Sequence, residues 1–76
     1  MKKLVEILAR SLVDYPDKVE VNQVEGEKSI ILELRVDEDD MGKVIGKQGK
    51  IAKAMRTVVK AAAAKEGKRV VLEIIK

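Results

Sequence analysis

The chain has 76 residues, 46% hydrophobic and 38% charged, with a net charge of +3, no cysteine, no histidine and a single aromatic residue, Tyr15. That length suits one domain spanning residues 1–76, which would bury only about 60% of the surface its unfolded chain exposes. The missing residue types exclude a disulfide framework, a thiolate metal site and the commonest general base, and they disfavour any nucleic-acid reader built on aromatic stacking platforms. No apolar run approaches the length that crosses a bilayer, and Met1-Lys2-Lys3 leads into a helical pattern and not a signal-peptide core. A cytoplasmic protein without a membrane partner is expected.

From Lys2 to Asp14, the residues Leu4, Ile7, Leu8 and Leu12 recur at helical spacing opposite Lys3, Glu6 and Arg10, which predicts an amphipathic helix. Pro16 ends it, because the residue before a proline avoids helical angles. Lys18-Val19-Glu20-Val21-Asn22 alternates as a half-buried strand does, and the out-of-phase Val24 marks a bulge or the strand's end. Glu25-Gly26-Glu27 is a turn. Ser29 to Val36 alternates again, with Ile30, Leu32, Leu34 and Val36 on one face, so the two strands form an antiparallel hairpin.

Asp37-Glu38-Asp39-Asp40 stands between a strand and a helix. Asp37 is placed to cap the helix, and the following carboxylates fall where the helix dipole favours negative charge. A divalent metal cluster is the competing reading, but consecutive acids point in different directions and no ligand pattern follows. Neither a metal nor a cofactor is expected. Met41, Val44 and Ile45 then face the core, and Gly46 stops the helix.

Gly49 to Glu66 is strongly helical, with Ile51, Met55, Val58, Val59 and Ala62 on one face and Lys50, Lys53, Arg56 and Lys60 on another. Gly67 caps it. Arg69 to Ile75 is a last strand, with Val70, Leu72 and Ile74 on one side. The order α-β-β-α-α-β predicts an α+β fold: a two-layer sandwich in which three helices cover one face of a three-stranded mixed sheet, the last two strands being parallel. The other sheet face carries Glu33, Arg35, Arg69 and Glu73 together with Ile31, Val71 and Ile75.

Gly46-Lys47-Gln48-Gly49 lies at the joint between two helices. Glycine lets the backbone turn tightly and leaves no Cβ to hold a ligand away. The first N–H groups of the following helix, helped by its dipole, attract an anion, and Lys47 and Lys50 add positive charge on either side. Read blandly, Gly46 stops one helix, Gly49 starts the next, and the lysines keep the loop soluble. Flanking aliphatics and a basic second helix favour a phosphate guest.

Val44-Ile45-Gly46-Lys47-Gln48-Gly49, the element order and the length resemble a type II KH domain, and most of all the small bacterial proteins made of one KH domain. The resemblance implies a groove for about four nucleotides of single-stranded RNA, clamped on its backbone by the G-x-x-G loop. By position, Gly46, Lys47, Gln48 and Gly49 would be the clamp, Ile45 part of the apolar floor, and Lys43, Lys50, Lys53 and Arg56 the electrostatic rim. Lys60 lies roughly 15 Å further along the helix and is expected to be ordinary surface. One position departs from the commoner family pattern: Ala52 stands where a large aliphatic is usual, with Ile51 before it.

An RNA chaperone or post-transcriptional regulator is the function implied. The alternative is a protein-interaction module, a homodimer or the small partner of a larger KH-containing RNA-binding protein, using the open sheet face or the alanine-rich end of the third helix. An enzyme is not expected. Gly42 to Lys47 superficially looks like a P-loop, but only three residues separate its glycines where four are needed, and Gln48 stands where Ser or Thr should hold magnesium.

Overall fold

The computed structural model describes Met1 to Ile75. Its elements run α1 (Lys2–Leu12), β1 (Glu20–Glu25), β2 (Ser29–Arg35), α2 (Met41–Ile45), α3 (Lys50–Lys65) and β3 (Arg69–Ile75), with short 3-10 turns at Pro16–Lys18, Glu38–Asp40 and Lys47–Gly49. The sheet order is β1-β2-β3. The turn between β1 and β2 is closed by the Gly26 N–H donating to the Ser29 carbonyl at 2.8 Å, so these strands pair antiparallel. The connection from β2 to β3 carries two helices and returns the chain in the same direction, giving a parallel pair. This is the α+β sandwich with a mixed sheet that the element order predicts.

The core lies between sheet and helices. Period-two alternation sends Ile30, Leu32 and Leu34 of β2, Val70 and Leu72 of β3, and Val19 and Val21 before and within β1 to the covered face. Leu32 and Leu34 have no exposed surface, and truncating such a residue to alanine costs about 2–5 kcal/mol. The helices answer with Val5, Ala9, Val44, Met55, Val59 and Ala63.

The helix faces differ from those read off the sequence. In α1 the buried line is Val5 and Ala9, with Leu4 and Leu8 half-buried beside it, while Ile7 is 57% exposed. The small Ala9 side chain lets the helix approach its neighbours closely, so the contact line turns away from the bulkiest residues. In α3 the buried residues are Ala52, Met55, Val59 and Ala63, and Val58 is 44% exposed. In α2 only Val44 is buried; Met41 is half-buried and Ile45 sits at the surface beside the loop.

The first strand starts two residues later than its alternation suggests, because Pro16–Lys18 forms a 3-10 turn. No bulge interrupts it: the register runs unbroken from Glu20 opposite Arg35 to Glu25 opposite Ile30. Gln23 takes the inward phase and accepts a hydrogen bond from the Lys2 N–H at 2.9 Å, satisfying a donor that the start of α1 leaves open. Val24 consequently points to the open face, opposite Ile31, which in turn faces Val71.

Candidate nucleic-acid interface

The turn between α2 and α3 has a backbone that most side chains would forbid. Gly46 has φ 76° and ψ 173°, Gln48 φ 57° and ψ 24°, and Gly49 φ 73° and ψ 15°. A Cβ on Gly46 would lie 2.6 Å from Cγ1 of Ile51 and 2.9 Å from its Cδ1. Glycine is therefore required at 46 by both conformation and space. At Gly49 nothing lies within 4 Å of the Cβ position, so its outer side is open to a ligand. Ile51, packed against both the core and the loop, supplies the bulk under Gly46, while Ala52 turns into the core.

The loop uses part of its own donor supply. Gly49 N–H donates to Gly46 O at 3.1 Å, and Lys50 N–H donates to Lys47 O, so these two groups are not free for an anion as the sequence suggested. No side chain caps the start of α3 at Gly49, and the dipole end is left facing outward with Lys47, Gln48 and Lys50 exposed around it.

Lys50, Lys53, Arg56 and Lys60 follow along α3 at steps of three or four residues, about 4.5–6 Å apart along the axis. Lys53 and Lys60 are exposed and Arg56 is half-buried. Arg56 lies across the seam between α3 and β3, its Nε donating to the Leu72 carbonyl at 3.2 Å. A cavity of about 270 Å³ is lined there by Arg56, Val59, Lys60, Val70, Val71 and Leu72, and a neighbouring one of about 300 Å³ shares Lys60, Val70 and Val71 and adds Lys68 and Arg69. Both cavities set Lys60 against β3, and neither is lined by a loop residue. Sequence periodicity places Lys60 on the same helix face as Lys50, Lys53 and Arg56, and the strand packed alongside gives it Val70 and Val71 as neighbours.

Lys43, expected on the electrostatic rim, is exposed but already engaged. Its ammonium is paired with the carboxylates of Asp14 and Asp40. The Asp14 hydrogen bond raises its pKa against the opposing effect of burial. Asp40, expected to serve the α2 dipole, is fully buried and accepts the backbone N–H groups of Asp14 at 3.1 Å and Tyr15 at 3.0 Å. Burial alone would raise the Asp40 carboxyl, but these two donors and Lys43 outweigh it and hold the group below the usual carboxylate range. This clasp fixes the start of α2 to the segment after α1, and so sets where the loop stands. Asp37 does cap, accepting the Asp39 N–H at 2.9 Å. Lys68 is likewise paired, with Glu25.

On the opposite flank of α3, Leu8, Leu12, Ile51, Ala54, Met55 and Val58 line an apolar groove against α1. Among the described residues no cluster of three acidic side chains could hold a metal ion, and no helix is long and apolar enough to cross a membrane.

The family model described as "KhpA/KhpB, KH domain" matches residues 2–74. The RNA-binding protein KhpA of Clostridium perfringens is 73% identical over 75 residues, covering 99% of this chain and 100% of the relative; its counterpart in Aquifex aeolicus is 57% identical, covering 99% and 95%. Among solved structures, Aquifex aeolicus Era bound to GDP and aluminium fluoride superposes with a TM-score of 0.69 at 24% identity. Era in complex with MgGDPNP and nucleotides 1506–1542 of 16S ribosomal RNA gives 0.56 at 25%. In both, 96% of this chain is covered but only 28% of the Era chain. With residues 2–74 matched and full-length relatives at this identity, the chain belongs to the KhpA/KhpB family of KH domains.

Proposed function

We propose that this chain is a single KH domain that binds single-stranded RNA, its phosphate backbone held at Gly46, Lys47, Gln48 and Gly49 and its bases lying toward the α3–β3 seam. The observation that carries this reading is the loop itself: two glycines without side chains, an uncapped helix start and three exposed lysines, Lys47, Lys50 and Lys53, within seven residues of one another. Ile45, 37% exposed at the loop, offers an apolar floor, and Arg56 borders the groove. The KhpA relatives, described as RNA-binding proteins, support the same reading. Lys43 has no part in it, since its charge is already met.

Backbone amides and lysines neutralise phosphates and release counterions, so affinity falls with salt. A lone module with few contacts binds weakly, near 10⁻⁴–10⁻⁶ M, which suits an RNA chaperone or post-transcriptional regulator in the cytoplasm that acts with a second copy. Lys47→Asp with Gln48→Asp abolishes RNA binding in this reading and leaves the melting temperature unchanged; a folded double variant that still binds ends it.

A second reading is favoured by the apolar groove between α1 and α3. Val58, at 44% exposure, and Leu12, at 38%, line it together with Ala54, a surface suited to a second KH copy packing helix to helix. The occupant proposed is another copy of this chain. Val58→Asp then converts a dimer to a monomer by mass in solution, and an unchanged mass removes this reading without touching the first.

A further inference from the structure

The sheet order leaves β3 as a free edge. Arg69 N–H donates to Lys28 O at 2.9 Å, so Arg69, Val71 and Glu73 direct their backbone groups at β2, and Val70, Leu72 and Ile74 direct theirs outward. An exposed strand edge is a ladder of unpaired donors and acceptors that invites any extended or planar hydrogen-bonding guest. Here the central acceptor is already partly engaged: the Leu72 carbonyl receives Nε of Arg56 on one lone pair. The guanidinium has five N–H donors in a planar fork, so with Nε engaged its remaining donors stay available at the mouth of the cavity it lines with Lys60.

We propose that Arg56 determines which bases the groove accepts: by covering the Leu72 carbonyl it turns the middle of the β3 edge from an acceptor into a donor surface, and so selects bases that present oxygen acceptors over adenine. The idea builds on the RNA reading of the same groove. Uracil, like thymine, offers the O4 acceptor and guanine offers O6 with N7, the pair to which arginine most often donates. Adenine presents one acceptor, N7, beside its N6 amino donor, so it offers the guanidinium one partner where guanine offers two, and its amino group meets a donor instead of the carbonyl it would bond. Lys60 beside it adds donors and no acceptor. A residue that only neutralised phosphate would raise affinity for every sequence equally.

The test is fluorescence anisotropy of labelled oligouridylate and oligoadenylate with wild type, Arg56→Ala, Arg56→Lys and the Lys47→Asp, Gln48→Asp loop variant, each checked for an unchanged melting profile. Wild type binds oligouridylate about tenfold more tightly than oligoadenylate, the scale of one good base contact. Arg56→Ala exposes the Leu72 carbonyl to solvent and brings the ratio to about one or reverses it. Arg56→Lys keeps the charge without the planar fork, so it retains overall affinity yet loses the ratio. A ratio unchanged in both variants, an equal loss for both RNAs, or a wild-type preference for oligoadenylate overturns the role of Arg56. If the loop variant binds both RNAs as wild type does, the clamp reading fails instead, and a wild type that binds neither RNA removes both.

Discussion

Replacing Gly46 by alanine tests the claim that loop geometry depends on Ile51. The new Cβ would enter a conformation, φ 76° and ψ 173°, in which non-glycine residues carry about 1–3 kcal/mol of strain. It would also meet Cγ1 of Ile51 at 2.6 Å and both Cβ and Cδ1 at 2.9 Å, an overpacking that costs about 1–3 kcal/mol more. The expected loss is about 2–6 kcal/mol. At roughly 0.05–0.15 kcal/mol per residue, a chain of 76 residues has about 4–11 kcal/mol in total, so Gly46→Ala removes a large share of it. Gly49→Ala is the control. Its φ is 73° but nothing lies within 4 Å, leaving only the left-handed cost of about 1–2 kcal/mol. Urea unfolding followed by circular dichroism reads both losses. Ile51→Ala removes the Cγ1 and Cδ1 contacts and keeps the one to Cβ, so Gly46→Ala in that background recovers about 1 kcal/mol of coupling. Equal losses for Gly46→Ala and Gly49→Ala, together with no coupling to Ile51, would refute the reasoning.

Asp40→Asn loosens the clasp on Asp14, Tyr15 and Lys43. Because the folded carboxyl titrates below its ordinary value, the stability it contributes is complete above about pH 4 and is lost as pH falls through the depressed folded value. The gap in melting temperature between wild type and Asp40→Asn is therefore widest near neutral pH and closes in acid; a gap independent of pH would show that the carboxylate charge is irrelevant. Lys43 acts in the opposite sense: its raised pKa keeps its contribution intact at neutral pH and loses it only above about pH 10.4, as alkaline melts of Lys43→Met against wild type will show. In RNA titrations across salt concentrations, Lys53→Ala lowers the slope of log affinity against log salt by about 0.7, one single-strand phosphate contact. Lys43→Ala leaves that slope unchanged, and equal slope changes would place Lys43 on the rim after all.

Element order, strand alternation and the G-x-x-G joint are local properties, and each was legible in the chain itself. Alternation in Ser29 to Val36 and Arg69 to Ile75 named Ile30, Leu32, Leu34, Val70 and Leu72 as buried, because a strand has only two faces and one must be apolar when the other is wet; Val36, beyond the end of β2, and Ile74 are half-buried. The two glycines announced a tight turn for a similar reason: few residues tolerate positive φ.

Helix faces were less legible. A helix can rotate about its axis by tens of degrees and still bury aliphatic residues, and the choice of Val5 and Ala9 over Ile7, or of Ala52 and Ala63 over Val58, depends on how closely each helix approaches its neighbours. Periodicity carries no such distance. Asp40 read as one more acid of a run of four serving the helix dipole, since nothing in the sequence reveals that the Asp14 and Tyr15 N–H groups, 26 and 25 residues away, need an acceptor there. The company Arg56 keeps also came from packing: Arg56, Lys60 and β3 share a cavity because α3 lies beside the free edge of the sheet. Local chemistry wrote the turn and the strands; the positions of Asp40, Lys43 and Arg56 were settled by contacts between segments far apart in the chain.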